Sequence, residues 1–239
     1  MLVKGRGLMQ PDTAGAEHEQ RAAEEICRSI YEETKTFYEC KAPRVAGQDL
    51  GYRILYGPPV VRAKYLFLGY QPGGRADSRR IDQLRSWPTE CEYALNPLEL
   101  RNAGWKNPRL ALNIQKVWGV PILKKSTGLN AIFFRAPDLK EWRRLQRGLR
   151  IELENFSLER ARRIIKTLQP RHLLVIGLET FGRLAPSATS ALERNGRCLV
   201  EQGEIWGMAA FGVIHLSGAH VSGADFDAIK AYFGERISN

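Results

Sequence analysis

One stretch constrains this chain more than any other: Lys64-Tyr-Leu-Phe-Leu-Gly69-Tyr70-Gln71-Pro72-Gly73-Gly74. An apolar run of strand length breaks into a turn of Gly and Pro. That is how an α/β protein delivers its backbone to the carboxyl edge of a sheet. Gly tolerates φ > 0 and lets a ligand come close, and Pro72 stiffens the turn. Gln71, between them, is then a polar side chain held on a rigid platform. Taken alone, the stretch also fits an ordinary strand-to-loop turn.

The rest of the chain alternates helix and strand patterns. Glu17 to Lys41 carries Ile26, Ile30, Phe37 and Tyr38 near helical spacing and reads as a flanking helix. Tyr52 to Tyr56 is a short strand candidate. Pro108 to Trp118 is a helix with Pro in its first turn. Ala131 to Phe134 has a buried-strand pattern with Asn130 at its start. Leu139 to Leu149 and Ser157 to Leu168 read as basic amphipathic helices, the second stopped by Pro170. His172 to Gly177 is another apolar strand ending in Gly, followed by a helix from Glu179 to Leu184. Arg197 to Val200 and Met208 to Ile214 are further strands. A last helix runs from about Ala224 to Phe233, where Ser222 and Asp225 make a capping-box pattern. Strands separated by helices predict a three-layer α/β/α sandwich around a mostly parallel sheet. Residues 1–16 are small and polar and read as a flexible tail, leaving 17–239 as one domain.

Charge points to the partner. Lys and Arg number 36 against 26 acids, a formal charge of +10. A basic globular domain expects a polyanion, with nucleic acid first, although plain solubility charge competes. No apolar run approaches the ~20 residues of a membrane span, and the N-terminus lacks the apolar core of a secretory signal. Cys27, Cys40, Cys91 and Cys198 are scattered without a Cys-x-x-Cys pair. Neither a zinc site nor a disulfide framework is indicated, and reduced thiols in the cytoplasm are the expectation. Only four histidines occur, so a catalytic role for any one is easily tested.

Three loops in a particular order carry a resemblance. Gly69-Tyr-Gln-Pro-Gly73 follows an apolar strand, Thr127-Gly-Leu-Asn130 leads into a strand pattern, and His215-Leu-Ser217-Gly218 precedes the last helix. From Tyr65 to the C-terminus the chain resembles the uracil-DNA glycosylase superfamily. The resemblance implies that fold and a monofunctional, metal-free and cofactor-free DNA glycosylase. Such an enzyme hydrolyses the N-glycosidic bond of uracil, or a related deaminated base, in base excision repair. It implies that Gln71 orients the attacking water, with Gly69, Tyr70, Pro72 and Gly73 shaping the substrate pocket. Asn130 reads the polar edge of a flipped base, and His215 stabilises the departing base anion. Ser217 and Gly218 meet a phosphate, and Ala219 to Val221, with His220 or Val221 as the bulk, fill the gap left by the flipped base. Arg75 and Lys125 flank the first two motifs and are candidate DNA contacts. Trp87 and Tyr93 are candidates to stack on the base. The partner is DNA, with no membrane, and the enzyme is expected to be a monomer.

Two positions depart from the family pattern. Gln71 is an amide where the most active members carry a carboxylate; an amide takes up no proton, but its oxygen can orient a water. Leu216 replaces the usual Pro. These departures motivate an alternative, a glycosylase-like fold that binds nucleic acid with little or no chemistry. A third hypothesis is a hydrolase of free nucleosides or nucleotides. On local sequence alone, Asn130 also fits a turn and His215 a satisfied histidine at a strand end.

Overall fold

The computed structural model describes residues 13–41, 51–72, 87–102, 105, 108–136, 138–217 and 221–237. Among them are six strands: β1 (Tyr65–Gly69), β2 (Thr127–Asn130), β3 (His172–Ile176), β4 (Thr189–Arg194), β5 (Arg197–Ile205) and β6 (Met208–Val213). The helices are α1 (Thr13–Lys41), α2 (Pro97–Asn102), α3 (Arg109–Trp118), α4 (Val120–Leu123), α5 (Leu139–Arg144), α6 (Arg147–Leu168), α7 (Leu178–Leu184) and α8 (Gly223–Ile237). The chain is therefore an α/β protein. The described strands form a sheet of order β2-β1-β3-β6-β5-β4. The first four strands in that order run parallel, while β5 pairs antiparallel with both β6 and β4.

The apolar runs form strands because both faces of the sheet are covered. Side chains alternate across a strand, and β1 divides accordingly. Leu66 and Leu68 enter one core with α1, α6 and Phe181 of α7. Tyr65 and Phe67 enter the other with α3, Leu123 of α4, and Ile229 and Phe233 of α8. From β1 the chain crosses to β2 through α3 on one face, then to β3 through α6 on the other. The winding reverses at β1, and in open α/β sheets the crevice at such a reversal, outside the carboxyl ends of the strands, is where ligands bind.

Gly128 holds β1 and β2 in place. A Cβ there would stand 2.2 Å from the Tyr56 ring, so the ring lies against bare backbone. From that position Tyr56 donates its hydroxyl to the Phe67 carbonyl at 2.7 Å.

Several boundaries differ from the sequence expectation. The middle strand is Thr127–Asn130, not 131–134, because the parallel register with β1 ends at the Gly69–Asn130 pair. Ala131 to Phe134 are buried all the same, beneath α1 and α6 rather than in the sheet. Tyr52 to Tyr56 makes only isolated bridges, Tyr52 to Phe134 and Leu55 to Leu129. The helix expected to run to Leu149 stops at Arg144. Leu145 and Gln146 leave the helical conformation there, and the Trp142 indole donates to Glu154 of α6 at 2.9 Å. Leu149 instead joins the single long helix α6. Strand β4 was not expected from sequence: it is a half-exposed polar edge strand returning through the left-handed Asn195-Gly196 turn. The expected capping box is present, with Asp225 N–H donating to Ser222 Oγ at 3.2 Å and Ser222 N–H to Asp225 Oδ2 at 2.9 Å.

Candidate active site at the carboxyl edge of the sheet

The ends of four parallel strands bring the three motifs to one edge. In spatial order they present Asn130, Gly69 with the Tyr70-Gln71-Pro72 turn, Gly177, and Ile214-His215. Three interstrand steps of ~4.8 Å put about 14 Å between the backbones at Asn130 and His215. Gln71 and Gly177 lie along the floor between them.

Asn130 is 6% exposed and its amide is oriented. Its Nδ2 donates to the Arg53 carbonyl at 3.2 Å, and its backbone N–H donates to the Ile54 carbonyl at 2.9 Å. Its Oδ1 lies along Gly69, where a Cβ would stand 3.1 Å away; the first motif's Gly keeps that edge clear. The segment that orients Asn130 is itself anchored. The Arg53 guanidinium pairs with Glu92, which also accepts from the Trp105 indole at 2.6 Å. Burial draws the Arg53 pKa down to about 10, which leaves it charged at neutral pH.

The Gln71 turn is held by backbone: Ala131 N–H donates to the Gly69 carbonyl at 2.8 Å and Ile132 N–H to the Tyr70 carbonyl at 2.7 Å. Pro72 is buried. Both polar atoms of the Gln71 amide are shut off from solvent and have no hydrogen-bond partner among the described residues. A buried polar group without a partner costs about 1–3 kcal/mol, and groups of that kind call for an explanation.

His215 leaves the end of β6 with its ring beside Gly177, whose Cβ position is 3.8 Å from His215 Cδ2. Solvent reaches the ring, yet the surrounding protein disfavours the charged form and lowers its pKa from the usual 6.5. Nδ1 lies 2.8 Å from Ser217 Oγ. When that hydroxyl donates, the ring proton sits on Nε2 and a neutral donor is available to a ligand. Leu216 is fully buried. Its carbonyl accepts from Asn113 Nδ2 of α3 at 2.7 Å, so side chain and carbonyl together fix the loop.

The remaining expected residues are dispersed. Tyr70 is half-buried against the first core and accepts from Arg183 of α7 at 3.2 Å. Val221 packs against the second core at the start of α8. Lys125 precedes β2 at the amino end of the sheet, the far edge from Asn130. Tyr93 is buried among Tyr56, Phe67 and Trp105, and Trp87 lies against Tyr31 and Arg28 near α1. Gly73, Arg75, Gly218, Ala219 and His220 lie outside the described residues. Sequence reasoning missed Arg53, Asn113 and Gly177 as supports of the site. Only Gly177, a Gly ending an apolar strand, had a visible signal.

Among the described residues no three His, Cys, Asp or Glu side chains gather as a metal site requires, and no helix is long and apolar enough to cross a membrane. The chain matches no protein-family model and no curated protein sequence.

Proposed function

We propose that the chain is a DNA glycosylase of the uracil-DNA glycosylase type, a three-layer α/β/α enzyme that hydrolyses the N-glycosidic bond of uracil or a related deaminated base. In this reading it works as a monomer on DNA in the cytoplasm. The observation that carries the reading is the Gln71 amide, buried and unpartnered at the reversal point of the sheet, between Asn130 and His215.

The chemistry follows from those side chains. The target base leaves the stack, at a cost of a few kcal/mol that is smallest for a mismatched or single-stranded base. Asn130 offers an acceptor and a donor to the base edge. Gln71 Oε1 accepts from a water and aims its oxygen at C1′ of the sugar. As the C1′–N bond breaks, its electron pair leaves with the base, and positive charge builds on the sugar. His215 donates a hydrogen bond from Nε2–H to the base oxygen that takes up the negative charge. A donor that gains strength only as charge develops lowers the barrier itself, not merely the binding energy. The water adds to C1′ and its proton passes to solvent.

The test is base release. Oligonucleotides with one uracil, single- and double-stranded, are incubated with the protein and treated with hot alkali. Scission at the uracil, lost in His215→Ala and Asn130→Asp, is the expected result. No scission on either substrate, with DNA binding retained, favours a binding protein built on the same fold.

A further inference from the structure

Beside the Gln71 turn, outside the proposed base-reading edge, lies a concavity of about 350 Å³ lined by Tyr70, Trp142, Arg143, Arg150, Glu154 and Arg183. Its three guanidinium groups come from three different elements, α5, α6 and α7. Two carboxylates stand among them, and each is already engaged. Glu179 Oε1 accepts from Arg143 Nη2 and Arg183 Nη2, both at 2.8 Å. Glu154 Oε1 accepts from the Trp142 indole at 2.9 Å and faces Arg150 Nε at 3.8 Å.

The arginines are held in place as well as charged. Arg183 Nη1 donates to the Tyr70 hydroxyl at 3.2 Å, with its guanidinium 5.4 Å from the centre of the Tyr70 ring. Arg150 Nη1 donates to the Arg143 carbonyl at 2.9 Å. Three cations against two anions leave a net positive charge, and most of the guanidinium N–H groups have no acceptor among the described residues. Planar forks converging in that way match the oxygens of a phosphate. The apolar lining is one buried indole and one phenol ring, which offers little to a hydrophobic ligand.

We infer that this concavity is a phosphate subsite, and that Arg143, Arg150 and Arg183 together grip one backbone phosphate of the DNA strand entering the Gln71 turn. This rests on the glycosylase reading for the identity of the polymer. Tyr70 joins the two places: its hydroxyl fixes Arg183, and its carbonyl is tied to Ile132 two residues beyond Asn130.

The test reads the salt dependence of binding to an undamaged oligonucleotide by fluorescence anisotropy, so it does not depend on base release. Each phosphate contact contributes about 0.9 to the slope of log K against log salt on duplex and about 0.7 on single strands. Because one phosphate is shared, Arg183→Gln and the triple Arg143→Gln, Arg150→Gln, Arg183→Gln variant are both expected to lose about one contact's worth of slope. The affinity gap between parent and variant then narrows about threefold from 50 to 200 mM salt. Arg183→Lys, which keeps the charge and the local packing, is expected to keep the slope. Lys166→Gln, at the opposite end of α6, is expected to change nothing. Slope losses that accumulate to about three contacts in the triple variant overturn the single-phosphate subsite in favour of independent surface charges. An unchanged slope overturns it outright, and if the parent still releases uracil, the glycosylase reading stands without it. A loss confined to oligonucleotides with a terminal phosphate, or inorganic phosphate competing at millimolar concentration, overturns the backbone assignment and makes the ligand a terminal or free phosphate.

Discussion

Replacing Gln71 with Met separates stability from function at the proposed water-orienting residue. The two side chains have similar length and volume, so the swap leaves little cavity and adds little bulk. What changes is polarity. In the free protein the Gln71 Nε2 and Oε1 atoms are buried with no partner among the described residues. An unsatisfied buried group costs about 1–3 kcal/mol, and Met removes that cost. In a domain of this size 1 kcal/mol moves Tm by about 2–4 °C, so Gln71→Met is expected to raise Tm by about 2–12 °C. The same substitution removes the acceptor for the water, and base release is expected to fall by about 10²-fold or more, the lower end of what a positioned polar catalyst contributes. Thermal unfolding followed by circular dichroism gives the first number, and single-turnover release of uracil the second. A more stable, less active protein is the signature of strain kept for function. A fall in Tm of about 2 °C or more refutes the reasoning: it would mean that the amide is satisfied within the folded chain and serves to hold the turn.

Other consequences follow from the same edge. His215 has a pKa below its ordinary 6.5 because burial disfavours its charge, so the imidazole is neutral at pH 7. Both protonation states keep Nε2–H as a donor, and the cation adds a charge that favours the departing anion, so kcat/KM should not fall as pH drops through about 6.5 toward the lowered pKa; an acid limb there that His215→Gln removes would contradict the donor role. The same shift gives stability a sign. Because the folded pKa is the lower one, the unfolded chain binds the proton first, and stability declines as pH falls from the unfolded value toward the folded one. His215→Gln should flatten that decline in urea titrations. Removing the Asn113 amide with Asn113→Leu leaves the buried Leu216 carbonyl without its bond, at about 1–3 kcal/mol. At a temperature well below Tm, it should still slow base release more than it weakens DNA binding. Gly128→Ala drives a methyl into the Tyr56 ring and should cost about 1–3 kcal/mol or more, seen as a lower urea midpoint.

The parts of the fold that sequence made legible are those fixed by strong local signals. Tyr65 to Gly69 and His172 to Ile176 are apolar on both faces and lead into Gly, and both are central strands. Ser222 and Asp225 announce the start of α8 and form the reciprocal bonds expected of them. What failed was whatever depended on partners far along the chain. Ala131 to Phe134 is as apolar as a strand, but the register of β2 is set by β1, some sixty residues earlier, and runs out at Asn130. That correction matters to the site, since it moves Asn130 from the entry of a strand to the carboxyl edge, opposite Gly69. Strand β4 has no hydrophobic alternation to betray it, because it lies on the sheet's exposed margin. Arg53 and Asn113 were invisible for the same reason: their roles are a carbonyl offered to Asn130 and an amide offered to Leu216, across 77 and 103 residues.

The chemistry of the edge is consistent in one further respect. Its described polar side chains, Asn130, Gln71, His215 and Ser217, are all neutral at pH 7 when His215 keeps its lowered pKa. No carboxylate stands among them, and the acids of the neighbourhood are committed elsewhere: Glu92 to Arg53, Glu179 and Glu154 to the arginines beyond Tyr70. In the proposed reaction, a leaving base that carries a full negative charge would meet donors and no fixed anion from these side chains. A carboxylate at position 71 would stabilise the sugar cation and polarise the water, but it would also repel the departing base across a low-dielectric gap. The neutral amide gives up the first effect and avoids the second. It suits a substrate whose glycosidic bond breaks early, where water needs direction more than activation, and whose anion is well stabilised by its own carbonyls. Gln71→Asp tests this balance. If water activation limits the rate, the variant releases uracil faster above the carboxylate's pKa; if anion stabilisation limits it, the variant is slower at every pH at which Asp is charged. The buried setting of the Gln71 amide, where a charge is felt at low dielectric, favours the second outcome.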